Sequence, residues 1–123
     1  MKFIQSKPFI FGGEQKIERV DEGITRQFYG YDNNLMMVKV IFQKGAAGLS
    51  HRHDHVQATY VVSGKFEVTI DDEKHVLVAG DGFFVETDTE HECICLEEGV
   101  LIDVFNPARE DFCDSLPENE DYE

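Results

Sequence analysis

Hydrophobic and polar positions alternate with a period of two along many short runs of this chain, and no run carries the 3.6-residue period of an amphipathic helix. Residues 1–24 hold short apolar pieces, Phe3-Ile4 and Phe9-Ile10-Phe11, broken by Gly12-Gly13 and followed by a charged stretch to Gly23. They predict one or two edge strands suited to packing across a subunit boundary. Ile24 to Tyr29 predicts a further strand, closed by the turn-prone run Gly30 to Asn34. Leu35 to Gln43 is the clearest early strand, with Met36, Val38, Val40 and Phe42 on one face and Leu35, Met37 and Ile41 on the other. A strand apolar on both faces predicts cover on both, as between two packed sheets.

Further along, Gln57 to Val62 and Phe66 to Ile70 flank Ser63-Gly64, which predicts a hairpin pairing Gln57 with Ile70, Thr59 with Val68 and Val61 with Phe66. Gln57 then shares an apolar face, and a buried amide needs a partner, which a metal could be. Asp71-Asp72-Glu73 and Ala79-Gly80-Asp81-Gly82 are turns around His75 to Val78 and Phe83 to Val85. His91 to Leu96 and Val100 to Phe105 predict a last hairpin around Glu97-Glu98-Gly99. With a three-residue loop, Cys95 opposes Leu101, Cys93 opposes Asp103 and His91 opposes Phe105, all on one face; a two-residue loop would turn Asp103 outward. A carboxylate on such a face is costly unless paired or used, and its pKa should rise. Short strands between Gly/Asp turns every 8–12 residues read as an all-β sandwich or barrel in a single domain.

Composition narrows the partners. The 123 residues include ten Phe and are 41% hydrophobic, enough for one domain with a packed core. The net charge of −14 argues against nucleic acid and anionic membrane as partners. Residues 107–123 contribute seven acids against one base, and the last seven read as a solvated tail. No apolar run approaches the roughly 20 residues that span a bilayer, and the start lacks a signal-peptide pattern, so the expected location is cytoplasmic. Cys93, Cys95 and Cys113 form no disulfide-scaffold pattern and read as reduced, small core residues.

The segment Ser50 to Gln57 holds the candidate chemistry. His51 and His53, two apart on an extended strand, share a face, and Gln57 returns to it if the strand runs without a bulge. His91 lies about forty residues on. Three imidazoles and an amide oxygen are an ordinary ligand set for a divalent first-row metal, with positions left for water or substrate. Taken singly, each of these residues also reads as an ordinary strand or core residue.

The spacing carries a resemblance. His51-x-His53-x3-Gln57-x6-Gly64 resembles the first cupin motif, Gly-x5-His-x-His-x3–4-Glu-x6-Gly, with Gln in place of Glu and an imperfect first glycine around Ala46 to Gly48. Gly80-x5-Glu86-x-Asp88-x2-His91 resembles the second, Gly-x5-Pro-x-Gly-x2-His, with Glu86 and Asp88 replacing its proline and glycine and putting the turn before His91 in question. The run from His51 through Tyr60-Val61-Val62-Ser63-Gly64-Lys65-Phe66, with the ending Leu101 to Phe112, is similar to the pectin-degradation (KdgF-type) cupins.

That resemblance implies a cupin jelly-roll barrel (a double-stranded β-helix) over residues 25–112, with the N-terminal strands of 1–24 at a dimer contact; residues 113–123 are left as the acidic tail. It implies an enzyme that converts 4,5-unsaturated uronates to linear ketouronates, and a homodimer. The implied metal ligands are His51, His53, Gln57 and His91, holding a divalent transition metal such as Zn, Ni, Mn or Fe. Asp103, Phe105 and Arg109 complete the implied site: Asp103 as acid/base, Phe105 as wall, and Arg109 as a bidentate clamp on the carboxylate of a small sugar acid. A neutral Gln ligand suits Lewis-acid work better than redox tuning. A cupin dioxygenase or isomerase acting on another small molecule, and a non-catalytic sugar- or metal-binding cupin, are the competing readings. Taken without the resemblance, Asp103 also reads as an outward strand residue and Arg109 as a rim ion pair to Glu110 or Asp111.

Overall fold

The computed structural model describes residues 2–118, excluding the side chains of residues 49–51. Eight strands follow one another: β1 (Glu18–Asp21), β2 (Ile24–Tyr31), β3 (Met36–Phe42), β4 (Ala47–His51), β5 (Val56–Ile70), β6 (Glu73–Val78), β7 (Gly82–Val85) and β8 (His91–Asn106). A one-turn helix, α1 (Glu110–Cys113), follows them. All strand pairs are antiparallel, in the order β1-β2-β3-β8-β5-β6, with β4 also on β8 and β7 also on β5. This is the expected all-β jelly-roll barrel. No helix among the described residues is long and apolar enough to cross a membrane.

The two hairpins read around Ser63-Gly64 and Glu97-Glu98-Gly99 are not formed. β5 and β8 each run unbroken through those glycines and pair with one another from Val56 opposite Asn106 to Ile70 opposite His91. Register shifts at Val61/Ser63, Ser63/Lys65 and Lys65/Phe66 bend both strands together, so each half joins a different part of the barrel wall. Gly64 sits at φ +86, and a Cβ on it would lie 2.5 Å from the Cα of Gly99. A Cβ on Gly99 would lie 2.2 Å from the Ser63 carbonyl oxygen. Glycine permits both a turn and a close crossing of two backbones, and the local pattern does not distinguish them.

The true register puts Gln57 opposite Phe105, Thr59 opposite Asp103, and Val61 opposite Leu101, while Cys93 faces Val68 and His91 faces Ile70. The expected opposition of Cys93 to Asp103 is therefore absent. The face assignment survives, because the predicted loop and the real bulges preserve the same parity: His91, Cys93, Leu101, Asp103 and Phe105 all line one cavity. The Asp71-Asp72 turn forms as read, closing β5 and β6 at Ile70 and Glu73.

Two apolar clusters fill the interior. One gathers Phe42, Val61, Phe66 and Leu101, with the Phe42 and Phe66 rings edge to face at 5.2 Å. The other gathers Phe28, Met36, Val38 and Phe105 and takes in Ile4, Cys113 and Leu116 from beyond the barrel. The start of the chain is thus tied down, with the Ile4 amide donating to Asn33 Oδ1 at 3.0 Å. The chain is also docked as far as Leu116, and residues 119–123 of the expected tail lie outside the described residues. β3 is largely buried on one face only: Met36, Val38 and Phe42 are buried, while on the other face Met37 is exposed and Ile41 half-buried, and Leu35 just before the strand is exposed. Its outward face continues across the sheet through the row Met37, Val104, Ala58 and Phe84.

Candidate metal centre and substrate pocket

The segment from Ser50 to Gln57 is not one strand. β4 ends at His51, residues 52–55 form a turn, and β5 starts at Val56. His53 stands in that turn, Gln57 and Thr59 on the first half of β5, His91 at the start of β8, and Asp103 and Phe105 near its end. The antiparallel crossing of β5 and β8 brings Thr59 and Asp103 face to face, and the backbone of His51 pairs with that of His91. The His51 side chain lies outside the described set.

Asp88 settles the turn before His91. It adopts φ +58, the left-handed conformation that the motif's glycine would supply and that Asp tolerates. Its amide donates to the His53 carbonyl oxygen at 2.7 Å, tying the turn before His91 to the turn that carries His53.

Hydrogen bonds then dictate which atoms meet. His53 Nδ1–H donates to the His55 carbonyl at 2.9 Å, and His91 Nδ1–H donates to the Thr89 carbonyl at 2.9 Å. In the neutral rings the lone pair is then on Nε2 in both. The rings lie 4.9 Å apart, centroid to centroid, and are buried. Asp103 Oδ1 accepts from the Thr59 hydroxyl at 2.6 Å and from Gln57 Nε2 at 3.3 Å. Gln57 Nε2 also donates to Thr59 Oγ1 at 2.9 Å. With its amide nitrogen so engaged, Gln57 aims Oε1 at His53 Nε2, 3.2 Å away. Two acceptors at that distance repel unless a cation or a proton lies between them, so the donor set fits a divalent metal. Among the described residues no three His, Cys, Asp or Glu side chains form a metal-binding group, so His53, Gln57 and His91 are the described part of the expected set.

Asp103 is paired, as its setting demands, and is not an outward strand residue. Phe105 is buried and stands edge-on to His53 with ring centroids 5.9 Å apart. His55 lies beside the set, its ring 5.4 Å from that of His53; its Nδ1 is buried with no hydrogen-bond partner among the described residues. Arg109 reaches the same cavity but forms the ion pair that was its alternative reading: Nε and Nη2 donate to the two Asp111 oxygens at 2.9 and 2.5 Å. Burial pushes the Asp111 carboxyl up, yet the Arg109 hydrogen bonds and charge outweigh it and hold the carboxyl below its ordinary value. One guanidinium edge is thereby occupied, and the terminal edge remains for a ligand.

The cavity measures about 470 Å³, within the range of small-molecule sites. Cys93 lines it, with its thiol pushed up to about 12 by burial and by the Asp103 charge, so it stays protonated near neutral pH. Three lining or supporting residues escaped the sequence reading: Thr59, Arg26 and Phe112. Thr59 is two residues past Gln57 on the same strand face, and that spacing was a usable signal. Arg26 and Phe112 had none, since their place depends on how β2 and α1 pack.

Residues 38–105 match the family model described as Cupin domain. The pectin degradation protein KdgF of Dickeya dadantii (strain 3937) is 43% identical over 106 residues, which cover 85% of this chain and 96% of that one. The crystal structure of an RmlC-like cupin from Shewanella frigidimarina NCIMB 400 superposes with a TM-score of 0.86 at 48% identity, covering 88% of this chain and 97% of that one. The structure of KdgF from Halomonas sp. superposes at 0.83 with 38% identity, covering 87% and 99%.

Proposed function

This chain belongs to the cupin family and to its KdgF type, and on that premise we propose that it is a metal-dependent enzyme opening 4,5-unsaturated uronates to linear ketouronates. The observation that carries the reading is the hydrogen-bonded link from the metal-ligand amide of Gln57 to the Asp103 carboxylate. A Lewis-acid centre and a proton-transfer group then share one network.

The conversion is an isomerisation. The anomeric hydroxyl loses a proton, the bond from C1 to the ring oxygen breaks, C5 becomes a ketone and C4 gains a proton. No electrons are exchanged. His51, His53, Gln57 and His91 would hold the metal, which when bound supplies Lewis-acid polarisation of a substrate oxygen. Asp103 takes the hydroxyl proton and returns one to C4, held in place meanwhile by Thr59 and Gln57. Arg109 binds the sugar carboxylate through its terminal edge, against the field of a protein of charge −14. Phe105 walls the site and helps exclude water. The same reading has the protein act as a cytoplasmic homodimer, with residues 1–24, where Phe9 and Phe11 are exposed, at the contact.

The test is loss of the ultraviolet absorbance of unsaturated galacturonate. Metal-loaded wild type should clear it, while Asp103→Ala and Arg109→Ala should not. Wild type no faster than buffer would end the proposal.

A further inference from the structure

Phe112 is shared by two cations. The guanidinium carbon of Arg109 lies 4.2 Å from its ring centre and that of Arg26 lies 4.3 Å from it. Arg26 also stands 5.0 Å from the ring of Phe28, and Arg109 stands 5.2 Å from that of Phe105. The two guanidinium carbons therefore lie no more than about 8.5 Å apart, and both side chains line the cavity that contains Gln57, His91 and Asp103.

Each cation has one carboxylate partner, but its N–H donors are only partly engaged. Arg26 Nε donates to Glu18 at 3.1 Å, which engages one of its five N–H donors. Asp111 engages one edge of Arg109. The side chains of Arg26 and Arg109 are only 16% and 12% exposed, so water does little to solvate them. Both side chains line one cavity, and an anion bound there supplies acceptors for the N–H groups that Glu18 and Asp111 leave unengaged. The aromatic faces and the two carboxylates meanwhile fix the guanidiniums before any ligand arrives, which lowers the entropy cost of binding. In an acidic chain this is the local attraction that an anionic substrate needs.

We propose that Arg26 is a substrate-binding residue, forming with Arg109 a two-guanidinium clamp for the carboxylate of a sugar acid. The identity of that anion rests on the uronate reading. The competing role for Arg26 is structural. It faces Glu18 in the β1–β2 register and packs on Phe28 and Phe112, so its loss could simply loosen the wall.

The experiment separates the two with paired ligands that differ in charge. Metal-loaded wild type, Arg26→Ala and Arg26→Lys are compared on unsaturated galacturonate and on its neutral methyl ester. In parallel, the shift in melting temperature is measured with saturated galacturonate and with galactose, which needs no turnover. The clamp predicts that Arg26→Ala raises KM for the acid by about tenfold or more while kcat changes by less than about threefold. Arg26→Lys should fall between, the methyl ester should be handled as by wild type, and the galacturonate-induced shift should be lost. Arg26→Ala kinetics equal to wild type, or an equal loss on acid and ester, would overturn it. If wild type turns over no uronate but galacturonate still stabilises it through Arg26, the enzymatic reading falls and the clamp stands.

Discussion

The Thr59 hydroxyl donates to Asp103 Oδ1 at 2.6 Å, and this bond decides which atom Gln57 presents to His53. A hydroxyl that gives its proton to a carboxylate can only accept from the neighbouring amide. Gln57 therefore turns its nitrogen toward Thr59 and Asp103 and its oxygen toward His53. Under the proposed mechanism, Thr59 is in this sense a positioning residue for both the metal ligand and the acid/base group.

Thr59→Val keeps the shape and removes the donor. The expected outcome is a stable barrel with kcat/KM down about tenfold or more, since a hydrogen bond to a charged group contributes roughly 1.5–3 kcal/mol. Thr59→Ser should restore most of the loss. Absorbance assays on the two variants beside melting curves check this, and equal rates in all three proteins would remove Thr59 from the mechanism.

Gln57→Glu places a second carboxylate against Asp103, where a donor now sits at 3.3 Å. Like charges at that range disfavour two ionised groups. We expect metal to be retained, as metal analysis of the purified variant would show, with uronate turnover reduced by at least about tenfold through the loss of the bond to Asp103. Stripping wild type with a chelator should abolish turnover and lower the melting temperature, since a metal that binds only the native state stabilises it.

Asp111 has a folded pKa below its unfolded one, which sets the sign of its pH dependence. Its contribution is present above the unfolded carboxylate value of about 3.9 and is lost as pH falls through the lower folded value. Melting temperatures of wild type and Asp111→Asn should therefore differ at pH 7 and converge toward pH 2. A gap that persists at pH 2 would show that the pair with Arg109 is not its source.

Gly99→Ala tests the strand crossing. With a Cβ 2.2 Å from the Ser63 carbonyl oxygen, two backbones must separate, and we expect little folded protein on circular dichroism and denaturant titration. Gly13→Ala, where a Cβ meets nothing within 4 Å, is the control and should fold normally.

The sequence by itself determined the class of fold, the faces of the strands and which residues are candidates for the metal-ligand set. Period-two alternation and motif spacing are local, and a strand's side chains divide between faces regardless of its partner. For that reason Gln57, His91 and Asp103 were placed on the cavity side even though both hairpins assigned to them were absent. Tertiary structure alone decided that Gly64 and Gly99 mark a crossing of two long strands, because a turn and a bulge ask the same of glycine and only the distant partner distinguishes them. It likewise decided that Arg26 from β2 meets Arg109 over Phe112. Such contacts depend on how β2 and α1 come together in space, which no spacing along one strand encodes. The Ser50–Gln57 segment shows both sides: its residues and spacing name the candidate ligands, while its broken backbone and the hydrogen bond from Asp88 to His53 bring His53, Gln57 and His91 to one place.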